Sequence, residues 1–459
     1  MADASGENVS VGRHRTLLVA DFLFCVSALL MSLAPDIITL VLGRFIVGTA
    51  IGAAAVVVPV YIAEHATVHN RATFVSMNIL GVTFGQLAAY FSNFIFSFVP
   101  GNWRWMLGVS LVPSVLQMVG LWMQSPQKLS KDSPKSNYSN DATIVPRRAR
   151  SFKEKIMSIR SIPVPAELHV GIGLQILQQA CGINTIMYFL PVMLKLSGIH
   201  SNRTALLVSM IPASCNAFGT LIGMRLVDQI GRRHLLHSSL LGVISTLLIM
   251  GLSFEIATQQ APKVDPITFS YDQACQFHAT SCPSCLHHSC ICCGSILPSQ
   301  SVHLTGACIQ SVAFEKEHDL LQRCHQALQG TVELAHIGSY DIGCPAPAGT
   351  IRMIFFCICL YLLAFSPGLG PIPWTIGAEI YPEEDRGICG GLAATCNWIS
   401  NAIMSQFFLG FMTAFGGGIT FGIIASFAII GIFWAWKFVP ETKGLTFAEI
   451  QDIFRKRMQ

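Results

Sequence analysis

Long apolar runs, separated by short polar connections, recur along the whole chain. Each run has 18 or more mostly apolar residues, which is enough to cross a hydrocarbon core of about 30 Å as an α-helix. The pattern therefore predicts an all-α membrane protein with about ten transmembrane helices. The predicted spans are 17–34, 38–62, 74–98, 104–123, 168–195, 204–226, 235–256, 351–376, 387–413 and 417–438.

The composition agrees with lipid as the surrounding solvent. Of the 459 residues, 52% are hydrophobic and 12% are charged, whereas a soluble protein of this length covers its surface with more charge. The first apolar run, from Leu17, is much longer than the roughly 7–15 residues of a secretory signal, so we predict no cleavable signal peptide. The partner predicted here is the lipid bilayer.

Positive charge is concentrated in alternate connections between the spans. The connections near Pro35, Pro100, Ile199 and Gly417 carry almost none. Because cytoplasmic connections are enriched in Lys and Arg, both termini are predicted to be cytoplasmic. We expect the plasma membrane, with the vacuolar membrane as the alternative. The basic connections contain Arg13 and Arg15, Arg71, the segment 128–160, Arg225, Arg232 and Arg233, Arg386, and the C-terminal segment 443–457.

The chain also repeats itself, and the repeat divides it into two halves. A Gly-Arg-His-Arg turn at 12–15 precedes one pair of spans, and a Gly-Arg-Arg-His turn at 231–234 precedes another. Two spans come before the second turn, whereas only a short polar segment comes before the first. We therefore expect that two spans of the repeat are missing at the amino end. Parallel halves of this kind place a transport site at their interface, near the bilayer midplane.

This division defines the predicted regions. The N-terminal half with four spans covers residues 1–124, and a basic cytoplasmic linker covers 125–167. The C-terminal half with six spans covers 168–440, and it includes a Cys-rich extracellular loop at 257–349. Residues 441–459 form a cytoplasmic tail.

Several ordered motifs resemble the sugar porter family of the major facilitator superfamily, and most of all its proton-coupled myo-inositol transporters. The resemblance runs from Gly12 to Phe454, and it implies that family's fold, with twelve spans in intact members. The motifs are Asp-Gln-Ile-Gly-Arg-Arg at 228–233, Gln-Gln at 178–179 with Gly-Ile-Asn at 182–184, Pro-Gly-Leu-Gly-Pro-Ile-Pro-Trp at 367–374, Glu379 to Arg386, Pro-Glu-Thr-Lys-Gly at 440–444 and Trp-Arg-Trp-Met-Leu-Gly at 103–108.

The resemblance implies inositol:proton symport by alternating access, with the proton as coupling ion and no other cofactor. Two alternatives stay open: a hexose transporter, and a transport-inactive truncated membrane protein with a regulatory or partner-binding role. An incomplete sequence is a further possibility. We predict no enzyme, because no nucleophile, base and orienting group cluster at the span ends. We predict no nucleotide or nucleic-acid partner, because the chain has no phosphate loop and its basic residues lie between spans.

Neutral side chains inside the apolar spans are the candidates for binding a polyol, whose hydroxyls need both donors and acceptors. The resemblance places them at sugar-contacting positions, with an indole as the wall over the ring. The alternative is that the amides tie helices together. The Pro and Gly residues at 367–373 predict a gating hinge, with a plain kink as the alternative. The predicted substrate-binding residues are Gln86, Gln178, Gln179, Asn184, Asn216, Trp374 and Asn397.

Charged residues predict the gating and proton-coupling parts. An acid stands seven residues before an Arg in each half, as Glu64 and Arg71 and as Glu379 and Arg386. With Asp228, Arg232 and Arg233, these residues are predicted to form a cytoplasmic latch between helices. Arg44 differs because it lies inside a span, where an Arg is expensive and is usually paired. In proton-coupled relatives its counterpart faces a carboxylate on the first span, which this chain lacks.

The insert holds nine of the 16 cysteines, and their spacing raises the question of zinc. The gap between Cys285 and Cys290 is far shorter than the roughly 15–20 residues of a two-knuckle zinc site, and the loop is predicted to face an oxidising compartment. We therefore predict disulfides and no metal, with connectivity open. The cysteines are at 275, 282, 285, 290, 292, 293, 308, 324 and 344.

Overall fold

The computed structural model describes residues 4–65, 71–123, 165–196, 202–259, 290–294, 306–310, 348–382 and 385–458. Helices account for nearly all of them. The helices are α1 Ala4–Ser32, α2 Ile37–His65, α3 Arg71–Phe96, α4 Asn102–Gly108, α5 Leu111–Met123, α6 Pro165–Ala180, α7 Ile183–Tyr188, α8 Leu190–Leu196, α9 Asn202–Ile230, α10 Arg232–Gln259, α11 Ala348–Phe365, α12 Ile372–Ile380, α13 Arg386–Phe438 and α14 Phe447–Met458.

Within the described residues, seven helical segments are long and apolar enough to cross a membrane. The predicted count of about ten is therefore not confirmed. Each of the three predicted spans that is not among the seven differs from the prediction for its own structural reason. The predicted span 168–195 is interrupted at 181–182 and at 189, and 351–376 is interrupted after Phe365. The span 387–413 is one continuous part of α13, but amides such as Asn397 and Asn401 lower its hydropathy.

A single left-handed residue separates the last two predicted spans. Gly416, inside α13, has φ 78° and ψ 169°, so the helix changes direction there. A residue with a Cβ is strained at such a positive φ, whereas glycine adopts it readily.

Between the two helices that flank it, the described parts of the Cys-rich insert form a short two-stranded antiparallel ribbon. Strand β1 spans Cys290–Gly294 and β2 spans Gly306–Gln310, with Cys292 directly opposite Cys308. Most of the insert, and with it most of its cysteines, lies outside the described residues, as does nearly all of the linker 125–167. Among the described residues, no group of three or more His, Cys, Asp and Glu side chains could hold a metal ion.

Packing between the helices brings the two halves together. Helices α1 to α5 form the first half, α6 to α13 form the second, and α3 packs along α9 as the main contact between them. The buried core belongs mostly to the second half, where Leu174, Leu240, Tyr361 and Phe421 are inaccessible to solvent.

Glycines let helices of the second half approach each other closely. A Cβ added to Gly223 of α9 would collide with the backbone of Pro367, and one added to Gly219 would lie 2.9 Å from the Cβ of Ser366. The end of α11 is thus pressed against α9 where small residues permit it. This contact places the break between α11 and α12 next to the space between the halves.

Candidate functional site

A cavity of about 460 Å³ lies between the two halves. Its volume falls within the range of small-molecule sites, and its wall is mostly apolar with convergent polar groups. All seven residues predicted to bind substrate line it: Gln86 from α3, Gln178 and Gln179 from α6, Asn184 from α7, Asn216 from α9, Trp374 from α12 and Asn397 from α13. Helices α1 and α2 add an apolar wall that includes Phe24, Ile51 and Val58.

Gln178 supports the broken segment between α11 and α12. Its Nε2 donates to the carbonyls of Leu369 and Gly370, at 2.8 and 2.9 Å. Ser239 of α10 supports the same segment. Its hydroxyl donates to the Ala364 carbonyl at 2.7 Å and accepts from the backbone N–H of Leu369 at 3.1 Å. A break in a membrane helix is tolerated only where other groups satisfy the freed backbone. The predicted interruption at 367–373 is therefore present, and side chains of α6 and α10 support it.

A second set of amides links α6, α7 and α13. Gln179 donates to Asn397 Oδ1 at 3.1 Å and accepts from Asn184 Nδ2 at 3.0 Å. Asn397 donates to Gln178 Oε1 at 3.0 Å and to Gln175 Oε1 at 2.7 Å. Gln178 and Asn397 thus have their hydrogen-bonding groups engaged with protein, and both are at least 95% buried. These two side chains hold the wall of the cavity in shape.

One amide contact crosses between the halves inside the cavity. Asn216 of α9 donates to Gln86 Oε1 of α3 at 3.1 Å, and Ser366 donates to Asn216 Oδ1 at 2.6 Å. A second crossing hydrogen bond runs from the hydroxyl of Tyr90 to the carbonyl of Met187. The polar wall of the cavity is therefore continuous from one half to the other.

Other polar groups of the cavity have no hydrogen-bond partner in the described part of the chain. They are Nε2 of Gln86, Oδ1 of Asn184, the side chain of Asn78 and the indole N–H groups of Trp374 and Trp398. The Trp398 nitrogen is fully buried, so its missing partner is costly unless a ligand supplies one. Sequence reasoning missed Asn78 and Trp398, although Trp398 directly follows Asn397.

A cluster of ion pairs joins the end of α9, the start of α10 and the end of α12. Arg232 pairs with Glu379 at 3.1 Å and with Asp228 at 3.3 Å, and the Arg232 and Glu379 side chains are more than 90% buried. Thr442 donates to the other oxygen of Glu379 at 2.7 Å. Three of the predicted latch residues, Asp228, Arg232 and Glu379, are thus in one cluster.

Glu441 organises the turn between α9 and α10, a role that sequence reasoning missed. Its two carboxylate oxygens accept from the backbone N–H groups of Arg232 and Arg233, at 2.9 and 3.0 Å. The turn itself passes through Gly231, whose φ is 100° and where an added Cβ would lie 2.7 Å from Glu441 Oε2. A carboxylate against the first N–H groups of α10 also complements that helix dipole.

The remaining predicted latch residues are placed differently. Arg233 donates to the Trp436 carbonyl, and Arg386 is buried and donates to the Tyr381 carbonyl. Glu64 lies near the end of α2 and Arg71 begins α3, but their side chains lie outside the described residues. The first half reaches the cluster through Thr73, whose hydroxyl donates to Asp228 at 2.6 Å.

Arg44 is exposed on α2 inside a predicted span. In the described part of the chain no acid forms an ion pair with it, so its predicted role in proton coupling stays a prediction.

Two helical halves that enclose a cavity of amides and indoles, with an ion-paired cluster at one end, define a membrane transport protein. The family model described as "Sugar (and other) transporter" matches residues 9–286 and 332–454. The chain belongs to this sugar transporter family, and it is a membrane transporter rather than an enzyme.

Similar proteins agree with that assignment. The chain is 35% identical to "Probable inositol transporter 2" of Arabidopsis thaliana, over 98% of this chain and 81% of the relative. It is 31% identical to the "Proton myo-inositol cotransporter" of Homo sapiens, over 97% and 72%. In fold it matches the major facilitator superfamily proton:xylose symporter XylE bound to 6-bromo-6-deoxy-D-glucose, with a TM-score of 0.64, 20% identity and coverage of 97% and 84%.

Proposed function

We propose that this chain carries inositol across a membrane together with protons, by alternating access around the cavity between its halves. The observation that carries the proposal is the cavity itself, in which uncommitted amide and indole groups face an apolar wall. The relatives named as inositol transporters support the choice of substrate.

The chemistry of the wall suits a cyclic polyol. Gln86 and Asn184 offer an amide donor and an amide acceptor on opposite halves, and Trp374 offers both a flat face and an N–H group. Ring C–H groups pack on an aromatic face, while ring hydroxyls need donors and acceptors at once. We assign substrate contact to Gln86, Gln179, Asn184, Asn216 and Trp374, and we assign Gln178 and Asn397 mainly to support of the wall.

Alternation requires contacts that form in one state and separate in the other. We assign this role to the cluster of Asp228, Arg232 and Glu379, which Thr73 joins to the first half. Arg233, Arg386, Glu64 and Arg71 complete the proposed latch at the same side of the membrane. The interruption between α11 and α12 is the proposed hinge, because the Leu369 and Gly370 carbonyls accept from the Gln178 side chain rather than from the N–H groups of a continuous helix.

The proton is the proposed coupling ion, and we propose that Arg44 takes part in the coupling as the permanently charged partner of a carboxylate that binds the proton. Both termini are proposed to be cytoplasmic. The plasma membrane is the proposed location, with the vacuolar membrane as the alternative.

Uptake of labelled myo-inositol into proteoliposomes tests the proposal. We expect faster uptake with acid outside than with neutral buffer, collapse of that difference by a protonophore, and competition by unlabelled myo-inositol above glucose. Preferential competition by glucose would favour a hexose transporter. Saturable binding without uptake would favour the transport-inactive alternative.

A further inference from the structure

Two cysteines face each other across the contact between α9 and α11, beside the cavity. The Cys215 and Cys359 side chains are neighbours across this contact, and neither is in a disulfide. Cys359 is 9% exposed and Cys215 is half-buried. Neither residue lines the cavity, and the proposed function makes no use of either one.

The pairing follows from the register of the two helices. Gly219 lies against Ser366 and Leu362, and Gly223 lies against Pro367, so residues of α9 meet residues about 144 positions later. Cys215 and Cys359 continue the same row, one helical turn before Gly219. The close approach that the two glycines permit therefore also holds the two thiols together.

We propose that Cys215 and Cys359 form a redox-sensitive dithiol, which closes to a disulfide under peroxide and then arrests transport. A peroxide oxidises the first thiolate to a sulfenic acid and releases one water. The second thiolate attacks that sulfur, the S–S bond forms, the S–O bond breaks, and the departing hydroxide takes a proton. In sum, two thiols and one hydrogen peroxide give one disulfide and two waters.

Closure would act on the proposed transport cycle through neighbouring residues. Cys215 directly precedes Asn216, which bonds both Gln86 and Ser366. Cys359 lies seven residues before Ser366, about 10 Å along α11, so a covalent bond fixes α9 to the helix that ends at the interruption. Thiols in apolar surroundings are poorly ionised, so we expect closure over many minutes rather than seconds.

The chain offers a matched control on the same helix. Cys357 is two residues before Cys359, is also buried, and has Ser253 of α10 as its neighbour rather than another thiol. Its neighbourhood resembles that of Cys359 in burial, but it has no second thiol in contact among the described residues. Cys357→Ser should therefore leave the response to peroxide unchanged.

The test is peptide mass mapping of the full-length protein in lipid after treatment with hydrogen peroxide. We expect a linked peptide pair that joins Cys215 to Cys359, that is lighter by two hydrogens than the free pair, and that dithiothreitol separates. The linked pair should be absent from Cys215→Ser and from Cys359→Ser. If a serine variant misfolds, Cys215→Ala and Cys359→Ala are used in its place. Recovery of both cysteines as free thiols in the treated wild-type protein would overturn the proposal.

Uptake then tests the arrest separately, and this part rests on the proposed function. Peroxide should lower myo-inositol uptake at least several-fold in the wild type and in Cys357→Ser, with recovery by dithiothreitol, and should leave Cys215→Ser unaffected. A disulfide at 215–359 without loss of uptake would contradict the arrest. If the untreated protein takes up no inositol, the proposed function fails. The peptide mass map still shows whether Cys215 and Cys359 form a disulfide.

Discussion

The two halves of the molecule are stabilised in different ways. In the first half, 6% of the apolar stretch of Ser76–Phe96 and none of that of Asn102–Met123 is buried, although 39% of that of His14–Ser32 in α1 is buried. In the second half, Arg203–Ile230 and Arg232–Ala257 are each 44% buried. The second half also contains the contacts of Gly219 and Gly223 with the end of α11 and the amide network of α6, α7 and α13.

The difference matters because lipid weakens the usual reason for burial. Apolar side chains are as well solvated by lipid tails as by each other, so packing and interhelical hydrogen bonds decide which helices stay together. The second half has both, whereas the first half packs mainly around α1 and joins the second half through α3, which lies along α9. We therefore expect substitutions within the second half to lower the stability most, and substitutions at the contacts between the halves to lower it less.

The largest expected effect is at Glu379. Glu379→Ala leaves the guanidinium of Arg232 buried with one partner fewer, and breaking a buried ion pair costs about 3 kcal/mol or more. Thermal unfolding in detergent should show the loss as a lower Tm. The matched control is Asp452→Ala, which breaks the exposed pair of Asp452 with Lys456 and should leave Tm unchanged. Equal changes in both variants would contradict the account of the cluster.

Gln178 comes next. Gln178→Leu leaves the buried carbonyls of Leu369 and Gly370 without a donor, which should cost about 2 kcal/mol of unfolding free energy. Uptake should fall with it, because the hinge loses its support. Gln117→Leu is the control, since Gln117 is an exposed amide of α5 in the first half. An unchanged Tm for Gln178→Leu would show that the interruption supports itself.

A smaller effect is expected between the halves, at Tyr90. Tyr90→Phe removes one buried hydrogen bond to the Met187 carbonyl and should cost about 1 kcal/mol. Tyr188→Phe, at a residue that is 53% exposed and whose hydroxyl accepts only a long hydrogen bond of 3.4 Å from Asn401, should cost less. If Tyr90→Phe destabilised as much as Glu379→Ala, the halves would be joined more tightly than the contacts indicate.

The smallest effect concerns pH. Burial raises the pKa of the Glu167 carboxyl above its ordinary value near 4.5, and one of its oxygens has no partner among the described residues. The folded state therefore favours the protonated acid, so this group's stabilisation is present below about pH 4.5 and is lost as pH rises through the higher folded pKa. Glu167→Gln should raise Tm at neutral pH and flatten its pH profile, as unfolding scans at several pH values would show.

Sequence patterns were most informative where local chemistry sets the structure. The apolar runs predicted a helical membrane protein, and the Pro and Gly residues at 367–373 marked the interruption after Phe365. The amides inside spans pointed to the cavity, because an amide in an apolar helix needs a partner or a ligand. All seven predicted binding residues line that one cavity.

What escaped the sequence depends on tertiary contacts. Gln178 and Gln179 are adjacent, and only the fold shows that Gln178 binds backbone carbonyls while Gln179 joins other amides. Thr73 and Glu441 resemble ordinary span-end residues until the folded chain brings them to Asp228 and to the start of α10. The span count differed because apolar length alone does not register the turns at 181–182 and 366–371, or the amides that lower the hydropathy of 387–413.

The central claim is that a polyol binds in the cavity between the halves. Equilibrium binding of labelled myo-inositol to the purified full-length protein tests it most directly, with the wild type compared with Gln86→Ala from the first half and Trp374→Ala from the second. The account predicts saturable binding whose Kd rises about tenfold or more in each variant. Each variant loses a hydrogen bond or an aromatic contact, and a loss of about 1.4 kcal/mol corresponds to a tenfold change in Kd. Saturable binding of equal strength in all three proteins would contradict it.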